Sequence, residues 1–171
     1  MRNASRFAPI PLFLAAALAG AAEPKLPAPV AAWVKAAADI CKEVEGKPDV
    51  ANAVHRVDLN GDGAEDFLVS VEGINCDGAA SIYGDREKSM AVFAGDGKGG
   101  ATEAFSDSTY GARIEGAGAK SKLWLTVMGM QCGKKPAKDF ASETFCERPL
   151  AWDPVKRKFD YAPVASVKMI Q

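Results

Sequence analysis

One histidine, His55, is all the imidazole this chain carries, and no CxxC pair occurs anywhere in it. The first scarcity leaves a Ser-His-Asp or Cys-His catalyst a single choice of base, and no GxSxG elbow accompanies it. Both scarcities together remove the usual zinc ligand clusters. The longest uncharged apolar run, Ala8 to Ala19, is about a dozen residues against the roughly 20 that a membrane-spanning helix needs. No phosphate loop is present, since the glycine-rich "GDGKGG" at Gly95 to Gly100 ends without Lys-Ser/Thr. Basic residues form no stripe: 21 Lys and Arg are dispersed among 22 Asp and Glu, a formal net charge of −1. Nucleic acid and anionic lipid are therefore not expected as partners. Linkers and low-complexity segments are missing too, so nothing divides the chain.

What is there begins with a leader. Arg2 and Arg6, the apolar run and the small residues before Glu23 give residues 1–22 the layout of a secretory signal peptide, with cleavage after Ala19 or Ala22. Residues 23–171 then make a single exported β-rich domain, periplasmic or extracellular, with no membrane span after cleavage and enough chain to bury a core. In an oxidising compartment the four cysteines, Cys41, Cys76, Cys132 and Cys146, favour two disulfides. Three pairings are possible. Cys132 with Cys146 is preferred because they bracket a polar segment between two strand-like runs, which leaves Cys41 with Cys76. On chain entropy these bridges contribute about 3 and about 4 kcal/mol.

From Pro29 to Glu45 the apolar residues Val30, Trp33, Val34, Ala37, Ile40, Cys41 and Val44 recur at three and four, the period of one helix face. Pro29 suits the first turn and Gly46 the position past the end. Beyond Gly46 the period falls to two. Strands are expected near 53–59, 67–71, 90–94, 101–105, 111–114, 123–128, 145–152 and 159–162, with tight reversals at "GDGKGG" and "WDPVKRKF". The fold class is thus mainly β: an antiparallel meander or sheets of about eight strands with one N-terminal amphipathic helix.

The stretch "DLNGDGAED" carries the clearest chemistry. Calcium takes six to eight oxygens, and a short loop supplies them when alternate residues face inward around a glycine. Asp58, Asn60 and Asp62 fall at loop positions 1, 3 and 5, Gly63 at 6, Ala64 with its carbonyl at 7, and Asp66 at 9. Position 12, a bidentate Glu in an EF-hand, is Val69, and an alternating "FLVSV" follows where an EF-hand has its exiting helix. The competing reading is a plain hairpin in which Asn60-Gly61 and Asp62-Gly63 supply turn geometry.

"VDLNGDGAEDFLVSV" followed by "MAVFAGDGKGGATEAF" resembles a single FG-GAP repeat, the blade unit of integrin-type propellers. The resemblance covers about residues 56–106. It is also similar to small exported bacterial proteins that carry one such loop, a segment like Asn75–Ser81 and a late "WD" hairpin, here Trp152 and Asp153. The resemblance implies one Ca2+ held by Asp58, Asn60, Asp62, the backbone of Ala64, and Asp66. One acidic loop does not make a propeller, so the top-face sites of that fold do not carry over.

These features point to a monomeric, exported, disulfide-bonded, calcium-stabilised β module, more a binding protein than an enzyme, whose partner is a protein or glycan of the cell envelope. Two alternatives stand beside it. An inhibitor of an envelope hydrolase would project the loop Gly133–Phe145 with Lys134 and Lys135, and a carboxylate-based hydrolase would draw on Asp85, Glu87, Asp107 or Glu115. Tyr83, Tyr110 and Tyr161 are the aromatic candidates for glycan contact.

Overall fold

The computed structural model describes residues 25–170; the expected leader, residues 1–22, lies outside them. Helix α1 spans Ala28–Glu43 and buries Val30, Val34, Ala37, Ala38 and Cys41, with Pro29 in its first turn. Ile40 and Val44, expected on the same face, are 44% and 46% exposed. Glu45, not Gly46, takes the left-handed turn after the helix, at φ 60°. Gly46 serves close packing instead: a Cβ there would lie 2.5 Å from the Cys76 sulfur and 2.8 Å from the Cys41 sulfur.

Eleven strands follow among the described residues, not eight. Eight of them, β2 (Val54–Val57), β3 (Asp66–Ser70), β5 (Lys88–Gly95), β6 (Ala101–Thr109), β7 (Gly111–Glu115), β8 (Lys122–Met128), β9 (Phe145–Asp153) and β10 (Lys158–Tyr161), overlap the expected positions. The three additions are β1 (Lys47–Asp49), β4 (Asn75–Asp77) and β11 (Lys168–Met169). They are two or three residues long and mostly polar, so alternation has nothing to act on.

The strands form three antiparallel groups. β1 pairs with β4, the order β2-β3-β5-β6 makes one sheet, and β7-β8-β9-β10 makes another with β11 beside β9. The first four-stranded sheet is the middle layer. Phe67, Val69, Ala91 and Phe93 on one face meet Val30, Val34 and Ala37 of α1. Leu68, Met90, Val92 and Ala94 on the other face meet Leu123, Leu125, Val127 and Phe159 of the second sheet. Because side chains alternate between faces, covering both faces explains why β3 is buried from Asp66 through Val69 rather than every second residue.

Both bridges close as preferred from the sequence. Cys41–Cys76 joins the helix end to β4 and Cys132–Cys146 joins the turn after β8 to β9. With the β-rich fold, they make this a disulfide-bonded β module, which is compatible with export.

Candidate metal centre

The acidic loop connects β2 to β3, at the edge of the middle sheet. Two glycines in left-handed conformation, Gly61 at φ 78° and Gly63 at φ 83°, let the chain curl back on itself. The side-chain oxygens of the loop then turn inward onto backbone N–H groups. Asp58 Oδ1 accepts from Gly61 at 2.7 Å and Oδ2 from Gly63 at 3.1 Å; Asn60 Oδ1 accepts from Asp62 at 2.9 Å and Asp62 Oδ1 from Ala64 at 2.8 Å.

Asp66 is the hub. It opens β3 with no exposed surface. Its Oδ2 accepts from the N–H of Leu59 at 2.9 Å and of Asn60 at 3.1 Å, and its Oδ1 from the N–H of Gly95 at 3.0 Å. Asn60 Nδ2 adds a longer bond to Oδ1 at 3.5 Å and one to Asp62 Oδ2 at 3.1 Å. Burial pushes the Asp66 carboxyl up, the amide bonds from Leu59, Gly95 and Asn60 pull it down, and the negative charge of Asp62 pushes it up again. All four of these hydrogen bonds come from amide groups and none from a cationic side chain.

The glycine-rich hairpin between β5 and β6 packs against this loop. Gly95 is obligatory at the contact, since a Cβ would fall 2.0 Å from the Glu65 carbonyl oxygen. Asp96 mirrors the loop's own chemistry: its Oδ1 accepts from Lys98 and Gly100, each at 2.8 Å. Those N–H groups, that of Lys98 foremost, hold its carboxyl below the usual carboxylate range. Between loop and hairpin runs an open cleft of about 550 Å³, with Asp62 and Asp96 on its walls beside Lys98 and Arg157. In the sequence "GDGKGG" marks a tight reversal and the hairpin of the FG-GAP resemblance, and its Asp-Gly spacing repeats that of the loop, but nothing local signals that Gly95 reaches Asp66.

The donor types of Asp58, Asn60, Asp62, Ala64 and Asp66 suit a hard cation. Their placement does not gather them on one centre: among the described residues no three acidic, histidine or cysteine side chains converge as a metal group. The same side-chain oxygens are spent on seven backbone N–H groups, those of Leu59 through Ala64 and of Gly95. Each oxygen of Asp58 and Asp62 accepts one bond and keeps a second lone pair for an ion, whereas Asp66 Oδ2 already accepts two and Oδ1 accepts one N–H and the longer Asn60 bond.

The remaining sequence candidates lie elsewhere. His55 is an exposed residue of β2 opposite Leu68. Asp107 accepts from the Tyr161 hydroxyl at 2.8 Å, and Glu115 from Lys168 at 3.1 Å. Asp85 and Glu87 border a separate shallow cleft with Arg86, Tyr110 and Phe140. The three tyrosines are half-buried and internally engaged: Tyr83 donates to the Ala37 carbonyl, Tyr110 packs on Phe140 and Phe145, and Tyr161 packs on Phe105. Lys134 and Lys135 stand exposed on the segment closed by Cys132–Cys146. No helix of the described residues is long and apolar enough to cross a membrane. No family model, curated protein or solved structure matches the chain.

Proposed function

We propose that this is an exported β module whose acidic loop, an FG-GAP-like element, takes one calcium ion on Asp58, Asn60, Asp62, the Ala64 carbonyl and Asp66, and that the module binds a protein or glycan of the cell envelope. The observation that carries the reading is Asp66: a fully buried carboxylate, next to Asp62 and bonded only through amides. A cation there offsets the repulsion and the burial of charge at one stroke. When bound, the ion supplies charge neutralisation and cross-linking, and the role is structural. The loop that would hold it is bonded to the hairpin by the Gly95 N–H to Asp66 at 3.0 Å, so a stiffened loop would steady the hairpin as well.

Thermal unfolding of the oxidised protein in millimolar calcium and in chelator, beside Asp62→Ala, tests it. A site that binds the native state alone adds about 2.7 kcal/mol at a hundredfold excess over Kd. Coincident wild-type curves in calcium and chelator would remove the ion from the reading.

One observation favours a second reading, inhibition of an envelope hydrolase: Lys134, Lys135 and Phe140 are exposed together on a disulfide-closed segment. Charge reversal at Lys134 and Lys135 abolishes partner capture on that reading and leaves it unchanged on the first.

A further inference from the structure

Asn60-Gly61 is a sequence prone to spontaneous deamidation, because glycine leaves the following amide nitrogen open to attack. In that reaction the Gly61 nitrogen gives up its proton and attacks Asn60 Cγ. A C–N bond forms to close a succinimide, and the side-chain nitrogen departs as ammonia. Water then opens the ring at either carbonyl, leaving aspartate or isoaspartate at position 60.

The loop opposes every part of this. The Gly61 N–H donates to the Asp58 carboxylate at 2.7 Å, so removing its proton would set an anionic nitrogen against an anion. The Asn60 side chain is fastened at both ends, Oδ1 to the Asp62 N–H at 2.9 Å and Nδ2 to Asp62 Oδ2 at 3.1 Å and to Asp66 Oδ1 at 3.5 Å. Closure of the ring requires these bonds to break together. The product could not rebuild them: a carboxylate at position 60 would replace two N–H donors that face Asp62 and the buried Asp66.

We propose that Asn60-Gly61 is a latent modification site that the closed loop silences, with Asp58 as its guard, and that deamidation following an opening stops the loop from closing again. The loop thereby records whether it has been open, and the record is irreversible.

The test is run on the oxidised chain in chelator, which keeps it independent of calcium. Deamidation is followed by the amide-to-acid mass change and by isoaspartate content, in native buffer and in urea. The native rate is expected to be at least about tenfold lower than in urea, equivalent to an opening cost of about 1.4 kcal/mol. Asp58→Ala is expected to deamidate severalfold faster than wild type under native conditions. Equal rates in native buffer and urea would overturn the proposal, as would a folded Asp58→Ala with the wild-type rate. Should that variant not fold, Asp58→Asn keeps an acceptor without the charge: faster deamidation supports the guard and an unchanged rate overturns it. Wild-type amide protection at Gly95 in the purified deamidated protein would overturn the failure to reclose.

Discussion

The backbone N–H of Gly95 donates to the buried carboxylate of Asp66 across 29 residues of sequence, at 3.0 Å. One carboxylate thereby terminates the β2–β3 loop and anchors the β5–β6 hairpin, and neither turn is independent of the other.

Replacing Asp66 by alanine strands the N–H groups of Leu59, Asn60 and Gly95. An unsatisfied buried donor costs about 1–3 kcal/mol, so a total loss of about 3–5 kcal/mol is expected, among the larger effects of a single substitution. The urea midpoint should fall with an unchanged slope. A loss under about 0.5 kcal/mol, typical of an unimportant surface position, would show that Asp66 is not the hub.

Gly95→Ala and Gly99→Ala separate two uses of glycine in one hairpin. At Gly95 a Cβ meets the Glu65 carbonyl, whereas at Gly99 it meets nothing within 4 Å and the difficulty is a φ of 92°. Forced overlap should cost about 1–3 kcal/mol, the strained φ about 1–2 kcal/mol. Hydrogen exchange distinguishes them better than the totals do. Gly95→Ala is expected to speed exchange at Leu59 and Asn60 through Asp66, and Gly99→Ala to leave both at wild-type rates.

The disulfides sit in different layers, Cys41–Cys76 at the helix and Cys132–Cys146 in the second sheet. Serine pairs at the first should cost about 4 kcal/mol and at the second about 3 kcal/mol. Sites without shared partners add within about 0.5 kcal/mol, so the protein lacking both should lose close to the sum in guanidinium unfolding. Strong non-additivity would mean that the layers communicate through the middle sheet.

Acidification should loosen the strap formed by β11. Arg113 donates to both oxygens of Glu147 at 2.8 Å, and Lys168 of β11 bonds Glu115 and lies 3.9 Å from the centre of the Trp124 ring. The Arg113 bond holds Glu147 below its ordinary range, and the Lys168 bond does the same for Glu115. A lowered acid pKa contributes stability above the unfolded value and loses it as pH falls through the folded one. Both pairs reach the surface and are screened, so the effect is local. Carboxyl titration by NMR should give midpoints below the usual glutamate range for both residues, and Glu147→Gln should raise the exchange rate at Ile170, whose N–H closes the strap on the Phe145 carbonyl. Ordinary midpoints would remove the strap's pH dependence.

Much of this was legible because it is periodic. The Val30-Val34-Ala37-Cys41 face and the eight longer strands follow from spacing alone, but the two-way burial of β3 does not, since "FLVSV" reads as an alternating strand with one covered face. Ile40 and Val44 misled because a three-four spacing marks a stripe wider than the contact α1 makes with one sheet. β1, β4 and β11 were illegible since their pairing is set by where the disulfide and the chain end bring them. In the loop, the glycines and acids were read at their positions, but which N–H each carboxylate meets depends on the hairpin 29 residues away, and periodicity carries no information about that.

The strand that begins at Asp66 is covered on both sides, by α1 through Phe67 and Val69 and by the second sheet through Leu68. A pull on the acidic loop is therefore not a pull on a surface flap. The force passes in one residue to a strand covered on both faces, and from there to both outer layers at once, even though the loop stands at the rim.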